Sequence, residues 1–307
     1  MQSNKRYSLG LGFLCLLVML SLGLKASLAE PGSPVEPVKD AVVGDDDKAE
    51  SSAAAAPTNS TFASAAASNT ALKTGLNWLF GGKTQRGWQL YTSLIGDLID
   101  TDQDTASNDF VFALSRWQKS KGLAPTGILN QDTWSNMIST WQSRRIQARA
   151  YLSPDQLIKA PASDFYDPSR PDELRRVERQ TYAAYKRMIA AAAAEPSLKL
   201  AATENGELAP SEKYLKIISA FRSPEYQAQL RRQSPNSGRA GLALNSPHST
   251  GRALDLYVGG EPVSTRDDNR ALQTQTRVYQ WLVKNAGKFG FHPYFYEPWH
   301  WEYCPNQ

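Results

Sequence analysis

The sequence predicts a protein of helices combined with short strands, and three observations carry that prediction. Apolar residues recur at helical spacing in two segments, Phe110–Gln118 and 171–195. From Arg252 to Val258, successive residues divide between two faces in the manner of a strand. Ten Phe, thirteen Tyr and eight Trp need packing partners, which excludes a 307-residue chain that is disordered throughout.

The charge balance gives no indication of a nucleic-acid partner. The formal net charge is +4, but Lys5, Arg6 and Lys25 lie within the first 29 residues, which contain no acidic residue. Without these three, the 34 Lys and Arg residues become 31, against 30 Asp and Glu. The rest of the chain is therefore nearly neutral and lacks the basic excess of nucleic-acid-binding proteins.

Residues 1–29 have the pattern of a secretory signal peptide. A basic start precedes an uncharged apolar run over 9–24, and small residues at positions 27 and 29 precede an expected cleavage before Glu30. The alternative is a retained membrane anchor, although a spanning helix needs roughly 20 apolar residues and this run has 16. We expect export, with no stable membrane span after cleavage.

Residues 30–71 are rich in Pro, Ala and Ser and carry the acidic run Asp45–Asp47. Such a composition buries too little apolar surface to offset the chain entropy lost on folding. It predicts a disordered linker, with order beginning near Leu72.

Residues 72–150 are predicted to form a small helical domain. One helix, around Phe110–Gln118, ends near Gly122, and a second begins near Asp132. The pair resembles the peptidoglycan-binding domain of many cell-wall hydrolases at the following positions: Trp117, Gln118, Gly122, Leu123, Gly127, Leu129, Thr133 and Trp134. The resemblance implies a wall-binding module whose deletion would spare cleavage of a small soluble peptide. The alternative is a helical packing unit without a ligand.

A further helix is predicted over 171–195. Pro171, Asp172 and Glu173 suit its first turn, and Glu195-Pro196 suits its end. Its apolar stripe, which includes Val177, is typical of a core-facing helix and indicates no functional site.

Two of the three histidines in the chain lie in polar settings near its end. His248 precedes the strand at 252–258, and His300 lies between two tryptophans. Asp255, inside that apolar strand, needs a charged, hydrogen-bonding or metal partner, because a lone buried carboxylate is costly. Separately, each residue has an ordinary structural explanation. Together, two imidazoles and one carboxylate are the ligand set of a catalytic zinc site.

Two carboxylates flank His300. Pro298 interrupts the strand pattern, so Glu297 is free to turn toward a metal-bound water without acting as a ligand. Glu302 shares a face with His300 if the strand resumes. It is therefore a candidate to accept a hydrogen bond from the His300 ring nitrogen that does not bind the metal.

Three segments resemble the VanY-type D-alanyl-D-alanine carboxypeptidases, members of the LAS zinc peptidase group that also includes lysostaphin-like enzymes and the hedgehog signalling domain. Ser219–Ser223 match S-x-(Y/F)-R-S, Ser246–Asp255 match S-x-H-x-x-G-x-A-x-D, and Glu297–His300 match E-x-W-H. The resemblance covers about residues 172–304. It implies an α+β fold, with a small antiparallel sheet and helices over 151–307, preceded by a small all-α domain.

The resemblance also implies roles for individual residues. These are zinc ligation by His248, Asp255 and His300, general base and acid catalysis by Glu297, oxyanion stabilisation by Arg222, and substrate contact by Ser246. The implied protein is a zinc (Zn²⁺) D,D-carboxypeptidase that removes terminal D-Ala from peptidoglycan stem peptides. It would be an exported monomer, periplasmic or extracellular and associated with the cell wall.

Two other functions stay open at this point. One is a peptidoglycan endopeptidase that cuts L-Ala–D-Glu or a cross-link, and the other is a non-catalytic wall-binding protein with a vestigial metal site. His292 belongs to no motif and is expected to be a surface or packing residue. Cys304 is expected to be an inert thiol.

Overall fold

The computed structural model describes residues 59–234 and 245–305. The expected signal peptide and residues 30–58 of the expected linker lie outside this part of the chain. In chain order, the α-helices of the described residues are α1 (Asn59–Gly75), α2 (Thr92–Ile99), α3 (Asn108–Ser120), α4 (Gln131–Ser143), α5 (Arg179–Ala193), α6 (Pro224–Gln233), α7 (Asp267–Thr274) and α8 (Arg277–Asn285). Within these residues, no helix is both long and apolar enough to cross a membrane.

The strands are short and antiparallel, and the predicted α+β class is confirmed. They are β1 (Asn77–Phe80), β2 (Lys83–Arg86), β3 (Leu157–Lys159), β4 (Arg176–Glu178), β5 (Ile217–Ser219), β6 (Ala253–Leu256), β7 (Phe291–Pro293) and β8 (His300–Tyr303). β1 pairs with β2 and β3 with β4, whereas the main sheet has the order β5–β6–β8–β7. The hairpin of β1 and β2 lies within residues 72–150, so this segment is not all-α as the sequence predicted. In that sheet Asp255 lies opposite Ser219 on one side and His300 on the other. The sheet therefore brings the three sequence motifs side by side.

The predicted pair of helices before the main sheet is present as α3 and α4, and a buried glutamine joins them. The Gln118 side chain donates from Nε2 to Thr133 Oγ1 at 2.8 Å and accepts from the Gly127 N–H at 2.8 Å. Gly127 has φ +67°, and an added Cβ would lie 2.4 Å from Val111. Three of the positions that resemble a wall-binding module thus serve the internal packing of this unit.

The structure differs from the expected linker at Asn59–Gly75, which form α1, so the expected boundary at 72 falls inside a helix. The Asn69 side chain is fully buried in this helix. It donates to the Gly127 carbonyl at 2.9 Å and accepts from the Leu129 N–H at 2.8 Å. The small side chains that suggested low complexity allow α1 to lie against α3.

The helix predicted over 171–195 begins later, at Arg179. The Glu178 carboxylate caps its start, and Asp172–Leu174 form a separate 3-10 turn. Val177 is buried because β4 pairs with β3, where it lies opposite Ile158. An apolar residue that fits a helical stripe is therefore buried by strand pairing.

One hydrophobic core runs from the helical segment, residues 72–150, into the main sheet. Phe295, between β7 and β8, stacks on Trp141 of α4 with ring centroids 5.8 Å apart, and it packs edge-on against Phe80 at 4.8 Å. In the described residues, the segments on both sides of residue 150 contribute to this one core. A boundary between two domains near residue 150 therefore remains a prediction.

Candidate metal centre

Three buried side chains converge on the main sheet: His248, Asp255 and His300, whose possible ligand atoms all lie within 4.8 Å of one another. Asp255 Oδ1 is 3.3 Å from His248 Nε2 and 2.9 Å from His300 Nδ1. Tetrahedral zinc bonds of about 2.0–2.2 Å place neighbouring ligand atoms about 3.3–3.6 Å apart. The donor set therefore fits a Zn²⁺ ion. The 3.3 Å pair already has the required spacing, and the 2.9 Å pair would have to separate by a few tenths of an ångström.

Local structure fixes each of the three residues. Asp255 in β6 and His300 at the start of β8 are neighbours through the strand register. His248 lies on the 3-10 turn Pro247–Thr250, at whose start the Ser246 hydroxyl accepts from the His248 N–H at 3.3 Å. A turn and two adjacent strands thus hold the three side chains at one place.

Gly251 makes the step from that turn into β6. Its φ is +62°, a conformation that residues with a Cβ rarely adopt. A Cβ here would lie 2.9 Å from the Leu157 side chain and 3.0 Å from the Glu178 backbone nitrogen. The glycine in the spacing from His248 to Asp255 is therefore a steric requirement.

The hydrogen bonds of the two histidines indicate which ring nitrogen faces the cluster. His248 Nδ1 is 2.7 Å from the Ala220 carbonyl, so this nitrogen carries the hydrogen and Nε2 presents its lone pair toward Asp255. His300 has the opposite orientation, with Nε2 at 3.1 Å from Glu302 and Nδ1 toward Asp255. Metal-binding histidines in proteins commonly have such an acceptor on the far nitrogen.

Arg222 pairs directly with the central carboxylate. Its Nη2 donates to Asp255 Oδ2 at 2.6 Å, and its Nε donates to Ser219 Oγ at 3.0 Å. Burial opposes ionisation of Asp255, but the neighbouring His248 and Arg222 outweigh it and hold the pKa of Asp255 well below its ordinary value. The structure thus places Arg222 on a candidate ligand, and its role toward an oxyanion remains a prediction.

Glu297 lies in the turn before β8, buried beside the cluster. Its carbonyl accepts from the His300 N–H at 2.9 Å, and its own N–H donates to the Tyr294 carbonyl at 3.0 Å. Burial raises the pKa of the Glu297 carboxyl to about 7, an effect that the charges of His300 and Arg222 only partly offset. A carboxyl that titrates near neutral pH can both accept and return a proton.

The surroundings shift the pKa values of the two histidines in opposite directions. Burial, with the charge of Arg222, lowers the pKa of His248 to about 4, so its ring is neutral at pH 7, as ligation requires. Burial acts in the same direction on His300, but hydrogen bonds to Asp255 and Glu302 outweigh it and raise its pKa to about 9. Two carboxylates therefore stabilise positive charge at His300 in the metal-free site, and a metal ion would have to displace the proton on Nδ1 in order to bind there.

Residues 174–306 match the family model described as VanY, D-alanyl-D-alanine carboxypeptidase. This segment is a VanY domain. A comparison with curated proteins finds no match. The VanY domain contains the His248–Asp255–His300 cluster. The family match places this region among cell-wall peptidases of the carboxypeptidase type.

One neighbour of the cluster lies outside the VanY domain, and no sequence motif pointed to it. Arg145, after α4, donates from Nε and Nη2 to Glu302 Oε1 at 2.8 and 2.5 Å. Burial alone would raise the pKa of Glu302, but the hydrogen bond and charge of His300, with the charge of Arg145, lower it to about 2. The run Ser143-Arg144-Arg145 is typical of surface charge, so no local signal distinguishes Arg145.

The remaining candidates of the sequence analysis lie outside the cluster. His292 is half-buried in β7, where burial and the charge of Arg144 lower its pKa, in keeping with a packing role. Cys304 is buried, and burial raises the pKa of its thiol to about 11. A thiol with that pKa is protonated at neutral pH and is a poor nucleophile.

Proposed function

We propose that this protein is a zinc-dependent D,D-carboxypeptidase that removes the terminal D-Ala from peptidoglycan stem peptides. The observation that supports it best is the convergence of His248, Asp255 and His300 inside a VanY domain. The buried carboxyl of Glu297 beside them adds a proton-transfer group.

In this proposal His248, Asp255 and His300 hold the metal. Bound there, Zn²⁺ would act as a Lewis acid and lower the pKa of water from about 15.7 to about 7. Glu297 accepts the proton of the attacking water and returns it to the departing amine of D-Ala. The Arg222 guanidinium keeps Asp255 ionised and correctly oriented.

Two further roles belong to the same proposal. Arg222 would stabilise the oxyanion as the scissile carbonyl becomes tetrahedral, since such donors are typically worth about 10²–10³ in rate. Ser246, which adjoins the turn that holds His248, would contact the substrate.

We also propose that the protein is exported and acts on the cell wall as a monomer. The signal pattern of residues 1–29 supports export, and a family of cell-wall peptidases supports peptidoglycan as the partner.

Mass spectrometry of muropeptides tests the proposed reaction. Incubation of pentapeptide muropeptides with the zinc-loaded protein should remove one alanine per stem. A chelator should abolish the loss, added zinc should restore it, and Glu297→Gln serves as the inactive control. Release of dipeptides or conversion of dimers to monomers would instead identify an endopeptidase. Unaltered muropeptides would favour a non-catalytic wall-binding protein, and full turnover by metal-free protein would contradict the metal assignment.

A further inference from the structure

We propose that Arg145, from outside the VanY domain, is a positioning residue for His300 and acts through Glu302. Arg145 holds the Glu302 carboxylate, and that carboxylate holds the far nitrogen of the His300 ring. The inference rests on the proposed role of His300 as a metal ligand.

The first step is the accommodation of Glu302, whose side chain is fully buried. Oε1 accepts from Arg145 and lies 3.1 Å from His300 Nε2, and Oε2 accepts from the Ile146 N–H at 2.7 Å. A buried carboxylate is stable only when its oxygens are satisfied in this way. Two of the three residues that satisfy Glu302 therefore come from the segment after α4.

The second step is the placement of Arg145, whose side chain is 12% exposed. Its Nη1 donates to Gln142 Oε1 at 3.1 Å, and its guanidinium carbon lies 3.8 Å from the centre of the Tyr294 ring. That ring meets His300 edge-on, with centroids 5.9 Å apart at 82°. Tyr294 therefore packs against both Arg145 and His300, while the hydrogen bonds that connect these two residues run through Glu302.

The third step concerns the reason for this series of contacts from Arg145 through Glu302 to His300. A buried ion pair is often no more stabilising than apolar residues of similar volume, so stability alone is a weak explanation for this one. Carboxylates behind metal-binding histidines fix the ring and raise its basicity. The Arg145–Glu302 pair has the position required for that function at His300.

Zinc affinity of the full-length chain is the direct readout, measured by competition with a chromophoric chelator. Replacing a residue that supports a metal ligand typically weakens affinity about 10–100-fold, and we expect this of Arg145→Ala and Glu302→Gln. Arg145→Lys should recover only part of the affinity, because a lysine lacks the planar set of donors. Arg144→Ala is the matched control: it removes the same charge from the adjacent residue, and it should bind zinc as the parent does.

A double substitution separates positioning from general stabilisation. If Arg145 acts through Glu302, Arg145→Ala should weaken zinc binding far less in the Glu302→Gln background than in the parent. The melting temperature of each metal-free variant reports any structural loss. Parental zinc affinity in Arg145→Ala, or fully additive losses in the double variant, would overturn this inference alone. A parent chain that binds no zinc would overturn the proposed function as well.

Discussion

Asp255 uses its two carboxylate oxygens for different purposes. Oδ2 accepts from Arg222, while Oδ1 faces both His248 and His300. The arginine therefore secures the carboxylate without covering the oxygen that lies between the two rings. At the level of single residues, the site separates groups suited to hold a cation from Glu297, which is suited to move a proton.

Substitution should separate these two roles. His248→Ala should lose bound zinc and activity together, because two protein ligands remain. Glu297→Gln should retain zinc and lose activity by about 10²–10⁴, the usual contribution of a general acid–base group. Metal content measured alongside kcat decides the matter, and a Glu297→Gln protein devoid of zinc would show that Glu297 is itself a ligand.

At the scale of elements, the site depends on the tight connection between the turn Pro247–Thr250 and β6. The connection spans one residue with positive φ, Gly251, which packs against β4 and β3. Because His248 lies before this point and Asp255 after it, any movement of the turn changes the distance between the two side chains.

We expect Gly251→Ala to reduce stability and weaken metal binding. Positive φ alone costs about 1–2 kcal/mol for a residue with a Cβ, and the contacts with Leu157 and Glu178 add to that cost. The matched control is Gly122→Ala, since Gly122 has φ +70° but open space around the added methyl group. Urea unfolding and zinc titration of both variants make the comparison. Equal losses in the two would mean that the close packing at Gly251 is unimportant.

Local signals account for what the sequence predicted well. The motif around His248 and Asp255 spans one turn and one strand, and Glu297–His300 spans one turn, so sequence spacing translates directly into geometry. The misplaced start of α5 has a different cause. Val177 satisfies a helical pattern, but its actual partner is Ile158 in another strand. Long-range pairing of this kind leaves no mark in the local sequence.

The same limit explains α1 and Arg145. Alanine and serine in α1 suggest low complexity, yet Asn69 hydrogen-bonds to Gly127 and Leu129 across about 60 residues. The proposed role of Arg145 depends on its contact with Glu302, which lies 157 residues away in the sequence. In both cases the deciding contact is tertiary.

At the scale of the whole molecule, the helical segment packs against the site. Phe295, two residues before Glu297, contacts Trp141, Phe80 and Tyr91 from that segment. The turn that carries Glu297 therefore rests on aromatic side chains that lie outside the VanY domain.

Deleting residues 72–150 should consequently cost both stability and activity. The resemblance to a wall-binding module implies that cleavage of a soluble pentapeptide survives such a deletion, but the shared core and the Arg145–Glu302 pair favour the packing alternative. Melting temperature, pentapeptide cleavage and sedimentation with insoluble peptidoglycan should be measured together. A well-folded, fully active truncated chain that no longer sediments would support an independent wall-binding module instead.

The separation of Arg145 from Glu302 also bears on the order of events during folding. We expect the Arg145–Glu302 contact to form later than the sheet, because closing a loop of 157 residues costs more chain entropy than closing one of 45. The sheet that aligns Asp255 with His300 involves shorter loops and can form first. During refolding, zinc binding at full affinity should therefore appear later than sheet formation. The delay would measure how long the segment after α4 takes to pack against Glu302.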